Sequence, residues 1–231
     1  MNDALTHLLL IGRLDIDLVR PVPDQVLDRL SPARREKAVR MKVPAAAWRI
    51  AAGSLLVNEG VRLLDFEPQV LDYDERGKPV FKAGCGLEVS LSHAGRFVTA
   101  LLSSAPCGVD VEKIRPLDVK AGRHIFSVQE MQCVASLSGD MQRQRFFEIW
   151  ALKESLAKWQ GTGISGTLRE GTFTRSEDRW TLAHPAAQLD AQIIPVDPEY
   201  VVAALTAGPG LKQIRYDFDY QEDMLIIREP A

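Results

Sequence analysis

Two stretches of this chain run through the same order of elements, and that repetition narrows the folds open to it. Each begins with a short apolar strand, residues 8–11 in the first and GVDVE in the second, where the chain crosses over near Ala105 to Gly108. Each continues with a short helix and a longer amphipathic one, then ends in strands joined by tight turns. In the first, SPARREKAVRMK opens on Ser31 as N-cap, with Pro32 where a missing N–H costs nothing. Pro44 closes that helix and opens the next, on which Trp48, Ala51, Ala52, Leu55 and Leu56 make one apolar stripe. In the second, FSVQEMQCVASL opens on Ser127 with Glu130 placed as in a capping box, and FFEIWALKESLAKW forms the long helix, stopping at Gly161. LEVSLSH sets Leu87, Val89 and Leu91 against Glu88, Ser90 and Ser92, the period of a half-buried strand. RFVTALLS, GTFTR, RWTLA, YVVAAL and QIRYDFDY are read as further strands. The expectation is an α+β fold of two pseudo-twofold-related halves, each a mainly antiparallel sheet packed on a long helix, with halves 1–106 and 107–231. A length of 231 residues is enough for two such units.

Composition removes several classes of function. A net charge of −3 does not suit sequence-independent nucleic-acid binding, which needs many phosphate-neutralising cations. No apolar run is long enough to cross a bilayer, and MNDALTHLLLIGRLDI lacks the basic start of a signal peptide. Cys85, Cys107 and Cys133 are irregularly spaced, giving neither a disulfide framework nor a zinc site, so a reducing cytoplasm is expected. Charge is nevertheless uneven. Arg34, Arg35, Lys37, Arg40, Lys42 and Arg49 crowd one early segment, either as a solvated helix face or as a site for a small phosphorylated ligand.

Asp110 and Glu112 alternate on a strand and so share a face, roughly 6.7 Å apart along it. Carboxylates about 5 Å apart repel by roughly 3 kcal/mol at an effective dielectric of 20. A hard divalent cation would offset that, and Mg2+ typically takes one or two carboxylates plus substrate phosphates; ordinary polar alternation on an exposed strand is the other reading. On the long helix Trp150, Glu154 and Lys158 fall at i, i+4 and i+8, with Lys153 beside them. They make either a boundary salt bridge or the rest of a polar site, where Glu154 could bind metal or take a proton and Lys158 could neutralise a diphosphate. The GTGI stop after this helix lets backbone approach a ligand closely. Ser92 and His93 end a strand at a turn with no GxSxG elbow, which disfavours a serine hydrolase. Lys78 sits in the turn YDERGKP, exposed enough to reach a phosphate.

ERGKPVF, VSLSH, CGVDVEKIRP and FFEIWALKESLAKWQGTGI resemble, in order and spacing, the motifs of the phosphopantetheinyl transferases of the larger, single-chain surfactin-synthetase-activating type. SPARREKAVR looks like that family's basic coenzyme-A-contacting helix, so the resemblance spans residues 31–164. The smaller holo-acyl-carrier-protein synthase type is about half as long and trimeric; this chain resembles the internally duplicated form, which implies a monomer. The resemblance implies transfer of phosphopantetheine from coenzyme A to a serine of an acyl, peptidyl or aryl carrier protein, with Mg2+. It places Asp110, Glu112 and Glu154 on the metal, and Glu154 and Lys158 in catalysis. It places Arg34, Lys37, Arg49, Lys78, Ser92, His93, Lys153 and Lys158 at coenzyme A, with Arg34, Lys37 and His93 towards the 3'-phosphate. Ile50 departs from the pattern, since some relatives carry a hydroxyl there. Two rivals use the same residues: a Mg2+-dependent hydrolase of nucleotide diphosphates, and a degenerate member that binds carriers without transfer. Residues 115–126, with Lys120, Arg123 and His124 beside Leu117, Val119 and Phe126, are read either as a carrier-docking patch or as a loop folded onto the sheet.

Overall fold

The computed structural model describes residues 6–81, 85–161, 171–177, 179–183, 189–221 and 224–228. The chain divides into two compact units, one of residues Thr6–Ser104 with Leu211–Ala231, the other centred on Ala105–Gly210. Against the expected halves 1–106 and 107–231, the second unit's main stretch runs from Ala105 to Gly210, and residues from 211 onward return to the first.

The first unit opens with β1 (His7–Leu14), followed by α1 (Asp24–Leu27), α2 (Pro32–Val39) and α3 (Pro44–Leu63). A small hairpin, β2 (Leu71–Tyr73) and β3 (Pro79–Phe81), precedes β4 (Glu88–Ala94) and β5 (Phe97–Ser103). β1 is buried along nearly all its length. Its unbroken apolar run, rather than an alternation, is what a strand with neighbours on both edges requires. The expected stripe on α3 lies in the core, with Trp48 2% exposed and its indole N–H donating to the Arg20 carbonyl at 2.8 Å.

In the second unit come β6 (Gly108–Lys113), a 3-10 turn (Val119–His124), α4 (Val128–Ala135) and α5 (Gly139–Gln160). Then follow β7 (Thr172–Ser176), β8 (Arg179–Ala183), β9 (Asp190–Asp197) and β10 (Tyr200–Thr206). The capping box forms as read: Glu130 N–H donates to Ser127 Oγ, and Ser127 N–H to Glu130 Oε2. α5 starts earlier than the apolar pattern suggested and ends on Gly161 at φ 67°, a left-handed cap that glycine adopts without strain. The last strands, β11 (Leu211–Gln221) and β12 (Met224–Arg228), join the first unit's sheet.

The two sheets follow one plan. The first has the order β12-β11-β1-β5-β4 and the second β6-β10-β9-β8-β7. In each, the opening strand pairs antiparallel with the second strand of a later hairpin (β1 with β5, β6 with β10), whose partner lies beyond it. The pairing of β1 with β11 is parallel; the other strand pairs are antiparallel. Each sheet packs on its long helix, α3 against β1, β4 and β5, and α5 against β6, β9 and β10.

Candidate active site

β6 and α5 bring the second unit's acids together. Gly108 makes this possible: a Cβ there would lie 1.9 Å from the Ser155 carbonyl oxygen and 2.9 Å from the Trp159 nitrogen. The strand thus runs against the backbone of α5, closer than any side chain allows. Two residues on, Asp110 shares that face, and Glu112 two beyond it. The face of α5 marked by Trp150, Glu154 and Lys158 meets them. Trp150 Nε1 donates to Glu112 Oε1 at 3.1 Å. Lys158 Nζ donates to Asp110 Oδ1 at 2.8 Å and to the Val109 carbonyl at 2.9 Å. The ring of Trp150 stacks on Phe146, 6.2 Å between centroids, which fixes its donor.

Glu154 lies between those two contacts along the helix and is 7% exposed. Burial, then the Asp110 carboxylate and more weakly Glu112, push its pKa up to about 7, with Lys158 opposing. Burial and Asp110 also raise Glu112, against Arg115, the Trp150 donor and Lys158. Three carboxylates thus sit within electrostatic reach of one another and are incompletely neutralised. That all-oxygen donor set has the chemistry of a hard divalent cation. Among the described residues no three His, Cys, Asp or Glu side chains are gathered tightly enough to hold a metal unaided. A Mg2+ site completed by substrate phosphates does not require such a cage.

Lys153 stands apart from this face, contrary to its expected place at coenzyme A. Its Nζ lies 3.1 Å from Glu130 Oε2, both side chains wholly buried, and donates to the Gly171 carbonyl at 2.6 Å. Glu130 also accepts the Phe173 N–H at 2.8 Å, so one carboxylate caps α4, pins β7 and pairs with α5. Sequence spacing revealed the cap but not the two long-range partners.

The remaining expected contacts lie in the first unit. Arg34 is 5% exposed: Nε donates to Ser54 Oγ at 2.9 Å, Nη2 to the Ile50 carbonyl at 3.0 Å, and Nη1 to the Tyr73 hydroxyl. Burial lowers its pKa, with Tyr73 opposing. Here it ties α2 to α3 and β2, so Arg34 is a buried brace rather than an open phosphate ligand. Lys37 is exposed, with Nζ 4.2 Å from the centre of the Tyr73 ring, a partner the sequence did not suggest. Arg49 Nε donates to the Gly95 carbonyl at 2.9 Å, in the turn after β4, which carries Ser92 and exposed His93 near its end. The Asp74 side chain accepts the Arg76 and Lys78 N–H groups, shaping the turn that presents Lys78, whose Nζ lies 3.5 Å from Glu88. The GTGI stop is described only at Gly161; residues 162–164 lie outside the described residues. In residues 115–126, Phe126 is buried against Phe146, and Leu117 and Val119 pack on the same core. Arg115, Pro116, Asp118, Lys120, Ala121, Arg123 and His124 are exposed, while the large apolar side chains of that stretch belong to the fold.

Comparison with known proteins gives a consistent picture. Residues 106–204 match the profile of the 4'-phosphopantetheinyl transferase superfamily. The chain is 31% identical to 4'-phosphopantetheinyl transferase psf-1 of Bacillus pumilus, covering 85% of this chain and 87% of that one. It is 27% identical to 4'-phosphopantetheinyl transferase Sfp of Bacillus subtilis (strain 168), covering 93% and 94%.

Proposed function

Starting from a chain that belongs to the 4'-phosphopantetheinyl transferase superfamily, we infer that the acidic face shared by β6 and α5 is where its reaction takes place. The enzyme transfers the 4'-phosphopantetheine moiety of coenzyme A to a serine of an apo carrier protein, giving the holo carrier and 3',5'-ADP. The observation that carries the site assignment is Glu154. A carboxylate whose pKa burial and two neighbouring acids raise to about 7 suits both a cation and a proton acceptor at neutral pH.

In this reading Asp110, Glu112 and Glu154 would hold Mg2+, and the metal would offset charge on the phosphoryl group being transferred. Glu154, directly or through a water, accepts the proton of the carrier serine. The serine oxygen forms the new P–O bond as the diphosphate bond breaks, and Lys158 neutralises the departing 3',5'-ADP. Trp150 keeps Glu112 oriented. In the first unit, Lys37, Arg49, Lys78, Ser92 and His93 are the groups proposed for the nucleotide of coenzyme A, with Arg34 bracing Tyr73 beneath Lys37. We place the enzyme in the cytoplasm as a monomer. Cys85 and Cys133 carry free thiols, and among the described residues no helix is long and apolar enough to cross a membrane.

Incubation with coenzyme A, Mg2+ and a panel of apo carrier proteins, read by intact mass, tests the assignment. Carriers should gain one phosphopantetheine, and Glu154→Gln should abolish most of that gain. Coenzyme A cleaved equally fast without a carrier would instead favour a hydrolase.

A further inference from the structure

Asp110 and Glu112 share a strand face but are held by donors of different kinds. Glu112 accepts from a neutral indole, which can keep one oxygen while the other takes a cation. Asp110 accepts from an ammonium. Lys158 Nζ is fixed there by a second bond, to the Val109 carbonyl, so the contact is built into the helix–strand packing. The Asp110 side chain is 7% exposed and that of Lys158 29%, so solvent screens their attraction poorly. An approaching dication meets a positive charge already seated on the carboxylate it needs. Besides the neighbouring acids, the diphosphate of coenzyme A offers Lys158 a strongly favourable destination in this chemistry.

Resting on the metal reading above, we propose that Lys158 is an exchangeable counter-ion that couples the divalent metal to coenzyme A. The ammonium guards Asp110 until the diphosphate draws it away, and the carboxylate then becomes available to the metal. Linkage makes the effect reciprocal: a metal on Asp110 frees the ammonium for the diphosphate, so each ligand strengthens the other. Metal bound without nucleotide would neutralise the acids without advancing the reaction, and this exchange disfavours it. Lys158 would thereby set when the metal binds as well as stabilising the leaving group.

Mn2+ titrations followed by electron paramagnetic resonance test this on the full chain, wild type and Lys158→Met, each with and without saturating coenzyme A. Wild type should bind Mn2+ weakly alone and about tenfold or more tightly with coenzyme A, the usual range of such coupling. Lys158→Met should bind Mn2+ alone about tenfold more tightly than wild type, and the help given by coenzyme A should shrink by a similar factor. Lys158→Gln removes the charge but can still hydrogen-bond Asp110 and Val109, and should read the same way if the methionine variant does not fold. Variants that bind Mn2+ alone no better than wild type would overturn the exchange. Failure of every protein, wild type included, to bind Mn2+ even with coenzyme A would instead overturn the metal role of Asp110, Glu112 and Glu154, and the inference with it.

Discussion

Glu154 keeps its proton to a high pH because burial and the Asp110 and Glu112 carboxylates together outweigh Lys158. Its folded pKa of about 7 lies above the ordinary 4.5, so the native state binds the proton more tightly than the unfolded chain does. The stability this contributes is complete below pH 4.5 and is lost as the pH rises through about 7. Thermal melts without added metal should therefore fall from pH 5 to pH 8, and Glu154→Gln should flatten the curve. An equally steep curve in the Gln variant would place the titration elsewhere. The same substitution should lower transfer by about two to four orders of magnitude, since it removes a proton acceptor and a metal charge together. Spacing showed that Asp110 and Glu112 share one face and Glu154 and Lys158 another, because alternation on a strand and i, i+4 on a helix fix which side chains lie together, but their roles came only from the family resemblance. Arg34 and Lys153 were misplaced because their neighbours in sequence do not reveal burial. Tyr73 and Ser54 close around one, Glu130 around the other, and all three are brought there by tertiary packing.

β6 and α5 form the site as a pair of elements, and Gly108 sets how closely they approach. Gly108→Ala would push a methyl group into the Ser155 carbonyl, which cannot move without the helix. Overpacking of this kind costs about 1–3 kcal/mol, and a displacement of about 1 Å at reacting groups can cost about a hundredfold in rate. The variant should therefore lose far more kcat than its melting temperature implies; wild-type kcat in Gly108→Ala would show that the close approach does not set the site. α4, α5 and β7 are joined by Glu130 and Lys153. Breaking a buried pair by removing one partner costs about 3–5 kcal/mol, so Lys153→Met should be markedly less stable in denaturant. Its KM for coenzyme A, measured on the folded fraction, should stay unchanged, and a raised KM would return Lys153 to the nucleotide. Most elements could be read from period and caps. β9 was missed because Pro195 and a mixed polar pattern interrupt DAQIIPVD, and β12 because it is a short strand beyond the last clear turn.

The chain as a whole is less segmental than its repeated order suggests, because β11 returns to lie parallel to β1, from His7 opposite Leu211 to Leu14 opposite Phe218. No local pattern announces such a pairing. QIRYDFDY reads as a strand wherever it docks, and a contact across most of the sequence is a property of the folded chain. The pairing has consequences for stability. β11 and β12 carry Tyr216, Phe218 and Leu225 into the first unit's core, each no more than 5% exposed. Tyr216 O–H also donates to Glu59 Oε1 on α3 at 3.3 Å, and Arg29 Nη1 to the Leu225 carbonyl at 2.8 Å. Burying each such side chain is worth about 1.5–3 kcal/mol, so losing all three would consume much of a domain's usual net stability of about 5–15 kcal/mol. Truncation after Gly210 would also strip β1 of one neighbour and leave its N–H and C=O groups as an open edge. Hydrogen exchange read by mass should then show β1 and β5 losing protection, while β6 and α5, whose sheet lacks β11 and β12, keep theirs. Protection retained in β1 after truncation would mean that the first unit is complete without its returning strands.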